Sequence, residues 1–170
     1  VAILAALRHR DATGEGQAID LALLDTQVAM LANLGSNYLA SGQVPRRMGN
    51  GHPNIVPYQV FEAADGHLVL AVGNDSQFAR FCVVADCEAL AGDARFASNA
   101  ARVRNRETLV PLLAERFLLR GRRDWLALLE AAGIPCGPVN DIADVFADPQ
   151  VRARAMTVAM PHPHADGLDR

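Results

Sequence analysis

Lysine is absent from this 170-residue chain, and all sixteen of its basic residues are arginines. A lysine Schiff base and a lysine-dependent phosphate loop are therefore excluded within it. Aromatic residues are sparse at 5%, and there are only three cysteines, Cys82, Cys87 and Cys136. Their spacing matches no paired metal-ligand pattern and each sits in an apolar context, which reads as buried, reduced thiols in a cytoplasmic protein. No apolar run approaches the length of a membrane span, and no charged-apolar-small leader pattern opens the chain. With a net charge of −3 and a pI near 5.9, the balance of charge points to neither nucleic acid nor an anionic membrane as a partner.

What is present is largely apolar. Hydrophobic residues make up 51% of the chain, enough for the core of one domain or of one domain and part of another. Val1 to Leu7 reads as an apolar helix already under way, without a cap, and Gly167 to Arg170 stops just after a turn signal. Both ends suggest a fragment of a longer protein.

The opening helix is expected to end near Arg8, His9 and Arg10, with Thr13 to Gly16 as the turn and a short strand over 17–22. Leu23 to Leu39 follows as a long helical segment whose apolar surface is too broad to belong outside. Tyr58 to Phe61 and Leu68 to Val72 flank Asp65 and Gly66, the clearest hairpin in the sequence. Asn74 and its neighbours cap a helix through Phe78 and Phe81, a second helix starts near Asn105 with Pro111 early in it, and a third runs from Arg123 to Ala132. In that third helix, Trp125, Leu128 and Leu129 form the inner face, and Gly133 is the C-terminal cap. Ile134 to Val139 is too proline-rich for a central strand and is placed at an edge. Asn140 or Asp141 caps a short helix to Phe146, Asp148-Pro149 starts another, and Met156 to Met160 is a candidate final strand. These signals describe a small α+β unit with a hairpin and several helices, preceded by a buried piece of something larger.

Gly49-Asn50-Gly51-His52-Pro53 marks the change between the two parts. Its glycines allow another molecule to approach the main chain, and the nearby prolines stiffen the exit; a plain surface connection is the competing reading. His52 is singled out by this setting alone. His9, His67, His162 and His164 have no neighbours that would make them bases or ligands, and no metal site is expected. Arg46 and Arg47 can receive a carboxylate or phosphate. Arg95, Arg102, Arg104 and Arg106 read as a run that makes salt bridges within or between subunits. Asp20 and Asp25 are carboxylates that flank the buried helical segment; either could act as a nucleophile, but Asp25 reads better as a polar residue early in that helix.

The segments Ala6 to Gln17, Gly49 to Asn54, Asp65-Gly66, Gly73 to Phe78, Ile134 to Val139 and Asp148-Pro149-Gln150, in that order, closely resemble the class III coenzyme A transferases (CaiB/BaiF-like), relatives of the α-methylacyl-CoA racemases. The resemblance implies that residues 1 to 57 are the late helices and linker of an α/β nucleotide-binding-like large domain, 58 to 150 the small domain and 151 to 170 the start of a return linker. It implies an interlocked homodimer, acyl-CoA and a carboxylic acid as substrates, and no permanently bound cofactor. In such transferases an aspartate attacks the thioester and becomes an aspartyl-CoA. Its position would lie upstream of Val1, so no catalytic nucleophile is expected in this chain. Gly49, Asn50, Gly51, His52 and Pro53 would then form the glycine loop over the reacting carboxylate, with Arg47 a candidate for the substrate carboxylate. A racemase fragment and a non-catalytic binding module are the alternative readings.

Overall fold

The computed structural model describes residues 1–158, which divide into two compact units with the boundary in the chain between Arg47 and Met48. The first unit is helical: α1 (Ala2–Thr13), α2 (Leu23–Ala29) and α3 (Ala32–Ser41). α1 runs past the expected stop at Arg10, because Thr13 Oγ1 donates to the His9 carbonyl and Gly14, at φ 79°, supplies the left-handed cap. Residues 17–22 form no strand and pair with none of the described strands.

The long helical segment is broken in two. Ala32 takes φ 39°, and Leu31 donates its amide to the Val28 carbonyl, three residues back, so one regular ladder cannot continue. No proline or glycine marks the break. The apolar residues of α2 and α3 are exposed within this unit, Leu23 at 86% and Leu39 at 84%, whereas their breadth on the sequence suggested burial.

The second unit is the α+β part. β1 (Tyr58–Ala63) and β2 (Gly66–Ala71) pair antiparallel from Tyr58 opposite Ala71 to Ala63 opposite Gly66, and β3 (Cys136–Pro138) adds to the other edge of β2. The proline-rich segment is thus an edge strand, where a missing donor costs least. Alternation puts Phe61, Ala63, Leu68 and Leu70 on one face. Helices α4 (Asp75–Val84), α5 (Glu88–Gly92), α6 (Asn99–Arg104), α7 (Arg106–Phe117) and α8 (Arg122–Ala131) follow. α7 buries Leu109, Leu113 and Phe117 at four-residue spacing, and α8 buries Trp125 and Leu129. Leu128 is 40% exposed, so it does not share the inner face with Leu129, which lies about 100° further round the helix.

α9 (Ile142–Ala147) starts in a capping box between Asp141 and Asp144, and α10 (Pro149–Ala153) starts at Asp148 with proline in its first turn. No strand forms over 156–158, and the rest of that expected strand lies outside the described residues, as do His162 and His164.

The hairpin turn does a second job. Its central residues are Ala64 and Asp65, one position earlier than the Asp-Gly pair suggested. Asp65 Oδ1 accepts the Arg122 amide at 2.6 Å and so caps α8 from 57 residues away, where the N-cap residue itself, Gly121, has no side chain. A Cβ on Gly121 would come within 3.0 Å of Asp65 Oδ2. Asp65→Ala should therefore lose about 1 kcal/mol, the usual worth of an N-cap, in urea unfolding. Gly121→Ala should lose a similar amount by pushing the same carboxylate aside, and the double variant should fall well short of the sum.

Candidate functional site

The glycine loop belongs to the second unit and folds against its own strand and helices. Gly49 takes φ 60°, a backbone state that disfavours any side chain, and the Gly51 amide closes a tight turn on the Met48 carbonyl at 3.1 Å. From there β1 fixes the near side. Asn50 Oδ1 accepts the Val60 amide at 3.0 Å, and the His52 amide donates to the Tyr58 carbonyl at 2.9 Å. The His52 ring stacks on Tyr58, with centroids 5.2 Å apart and planes 7° from parallel.

His52 Nδ1 accepts the Asn54 amide at 3.1 Å. An accepting Nδ1 carries no proton, so the neutral ring bears its hydrogen on Nε2. By the same reasoning Asn50, whose oxygen is taken by Val60, is left with its NH2 group to offer. Both side-chain acceptors of the loop are satisfied internally, and what remains on these two side chains are N–H donors. Such a loop suits an anion or a carbonyl oxygen gaining negative charge.

The far side is held by the corner between α6 and α7. Arg106 Nη2 donates to the carbonyls of His52 and Pro53 at 3.2 and 2.6 Å. Asn99 straddles the chain, its Nδ2 donating to the Asn54 carbonyl at 2.8 Å while its Oδ1 accepts the Val56 amide at 3.1 Å. Arg102 donates from Nε to the Val56 carbonyl at 2.7 Å, from Nη1 to the Phe96 carbonyl at 2.9 Å and from Nη2 to Asp75 at 2.8 Å. It lies over the Phe78 ring and is fully buried. The Val56-Pro57 peptide that follows is cis.

Of the arginine run, Arg95 pairs with Asp93 at the surface and Arg102 with Asp75, both within the chain. Arg106 instead serves the loop, a role the charge pattern does not announce. Asn99 was not among the sequence candidates. Its signal is the spacing of three and four in Asn99, Arg102 and Arg106, which means something only once α6 is seen, and α6 is marked by Ser98, whose side chain caps it at the Ala101 amide.

Arg47 is exposed and ends the first unit, as Arg46 nearly does, and Asp20 and Asp25 lie earlier in that unit, Asp25 in the first turn of α2. His9 lies on α1, and His67 is exposed on β2 opposite Glu62. Among the described residues, no three His, Cys, Asp or Glu side chains gather as a metal site, and no helix is long and apolar enough to cross a membrane.

Cys82 and Cys87 are buried and Cys136 is half-buried, so the last is less enclosed than its context suggested. The hydrogen bond between Cys82 and Cys87, with burial, holds the Cys82 thiol above the ordinary thiol range, and the same bond lowers Cys87. Burial pushes Cys136 up. All three pack against or within the core.

A model of CoA-transferase family III matches residues 1–169. A succinate–glutarate CoA-transferase of Agrobacterium fabrum is 50% identical over 157 residues, which are 92% of this chain and 39% of that protein. A human succinyl-CoA:glutarate CoA-transferase is 41% identical over 162 residues, 95% of this chain and 37% of its own length. Among solved structures, a CaiB/BaiF family protein from Brucella suis gives a TM-score of 0.71 at 47% identity, over 99% of this chain and 47% of that one. At 39% and 37%, the chain spans about two fifths of these curated relatives.

Proposed function

Since the chain belongs to CoA-transferase family III, we propose that it is part of an acyl-CoA transferase that moves coenzyme A between carboxylic acids, and that it supplies the loop covering the reaction. The observation that carries this reading is the pair of donor side chains on the loop: Asn50 and His52 have their acceptors occupied by main-chain amides and keep N–H groups. Thioester exchange between acids builds negative charge on a carbonyl oxygen at each addition, and fixed donors aimed at that oxygen lower the barrier. The names of the relatives, which act on succinate and glutarate, favour a dicarboxylic acid as one substrate.

In the proposed reaction an aspartate upstream of Val1 attacks the acyl-CoA carbonyl, and the thiolate of CoA leaves a mixed anhydride. That thiolate then attacks the aspartyl carbonyl and releases the donor acid, giving an aspartyl-CoA thioester. The acceptor carboxylate repeats the two steps in reverse order of partners and departs as the new thioester. Gly49 and Gly51 let the loop main chain come close to the reacting carbonyl, and Asn50 and His52 donate to its oxygen. Pro53 fixes the direction of the exit, and Arg47 receives the far carboxylate of a dicarboxylic substrate. The upstream residues complete the nucleotide-binding-like large domain of an interlocked cytoplasmic dimer.

The test is to assay the full-length protein with succinyl-CoA and glutarate beside the 170-residue chain alone, following glutaryl-CoA by mass spectrometry. Transfer by the full-length protein and none by the chain alone is the expected pair of results. Transfer by the chain alone would overturn the assignment of the nucleophile. Exchange of the proton next to the thioester carbonyl, without CoA transfer, would turn the assignment to a racemase.

A further inference from the structure

The backbone from His52 to Val56 is held by side chains of α6 and α7. Arg106 takes the carbonyls of His52 and Pro53, Asn99 takes the carbonyl of Asn54 and the amide of Val56, and Arg102 takes the carbonyl of Val56. All three partners come from the α6–α7 corner. These bonds supply no group to a substrate, but they set where the preceding residues point. His52 is gripped from both sides, its amide on β1 and its carbonyl on Arg106.

The two arginines of the corner divide the labour. Arg102 is fully buried, touches Phe78, Phe96 and Asp75 and belongs to the core. Arg106 is half-buried and bonds the loop at two successive carbonyls. Both bonds come from Nη2, whose N–H groups lie in the plane of a guanidinium anchored on α7, a rigid way to fix two successive carbonyls because little freedom is lost per bond formed.

Resting on the reading of residues 49–53 as the covering loop, we infer that Arg106, backed by Asn99, is its positioning residue: it holds the His52 and Pro53 carbonyls so that the loop's N–H donors are aimed before substrate arrives. Arg106 acts through the backbone of the loop and not on the substrate. Misplacing a catalytic group by about an ångström costs on the order of a hundredfold in rate.

The experiment compares Arg106→Ala, Arg106→Lys and Asn99→Ala in the full-length protein with the unaltered protein, and follows amide hydrogen exchange in the same preparations. Arg106→Ala should lower kcat by about tenfold to a hundredfold while KM for acyl-CoA stays within about twofold, since binding common to ground and transition states is untouched. The lysine variant should recover much of the loss through one donor at the Pro53 carbonyl, and Asn99→Ala should lower kcat without raising KM. In Arg106→Ala the amides of His52, Asn54 and Val56 should exchange faster although their own acceptors remain, with those of Leu109 and Leu113 unchanged.

An unchanged kcat, or unchanged exchange at the loop, overturns the inference. So does a fall in kcat matched by faster exchange in the core and not relieved by lysine, which would mean that Arg106 merely stabilises the unit. If the unaltered protein transfers no CoA, the functional reading fails first, and the role of Arg106 in catalysis falls with it.

Discussion

Arg102→Ala is expected to destabilise the unit that begins at Met48 by about 3–5 kcal/mol. Two carbonyls, of Val56 and Phe96, lose their donors, at about 1–3 kcal/mol each when buried, and a void opens beside Phe78. The ion pair with Asp75 contributes less, because that carboxylate is 56% exposed and water can replace its partner. Asp75→Asn should accordingly cost only about 1 kcal/mol. Arg102→Lys should behave like the alanine variant more than like the parent, since one ammonium cannot reach three acceptors that lie in different directions. Urea unfolding followed by Trp125, the only tryptophan, measures all three. Equal losses for Arg102→Ala and Asp75→Asn would show that the charge pair, and not the carbonyls, carries the energy.

Phe117→Ala should cost a comparable 3–5 kcal/mol, about what truncating a buried phenylalanine takes away. Phe117 is where four elements meet. Its ring stacks on Phe61 of β1 at 4.6 Å and Phe81 of α4 at 5.8 Å, and tilts against Trp125 of α8 at 4.8 Å. Its carbonyl also accepts the Trp125 indole N–H at 2.8 Å. Removing the ring leaves a hole that no single neighbour can fill, because each is tied to a different element. Phe117→Leu keeps most of the volume and should lose less, about 1–2 kcal/mol, so the ratio of the two losses separates packing volume from ring stacking. A loss below about 1 kcal/mol for alanine would mean that the cluster collapses onto the gap.

These two sites bear differently on the loop. Phe117 supports the sheet from beneath, whereas Arg102 joins the core to the loop exit through the Val56 carbonyl. Damage at Arg102 should therefore reach both stability and the covering loop, while damage at Arg106 is confined to the loop. That contrast is what makes Arg106 the sharper probe of function.

The sequence by itself determined many of the features whose cause is local. Asn74, Asp141 and Asp148 cap the helices that follow them, Gly133 ends α8, alternating apolar residues make the hairpin, and the prolines keep Ile134 to Val139 at an edge. The order of motifs carried the family. Four things needed the tertiary structure. The cap of α8 comes from Asp65, 57 residues away, and the hold on the loop from Asn99, Arg102 and Arg106, 43 to 54 residues away. Hydrogen bonds over such separations leave no periodic trace, because the backbone carbonyls they serve are the same for every residue type. The tautomer of His52 followed from one amide, that of Asn54, turning back onto its ring. The break at Ala32 lies in a stretch with no breaker residue, where only the backbone angle records it. Local chemistry writes its preference into the residue that acts; a partner brought in from far along the chain is chosen by the fold.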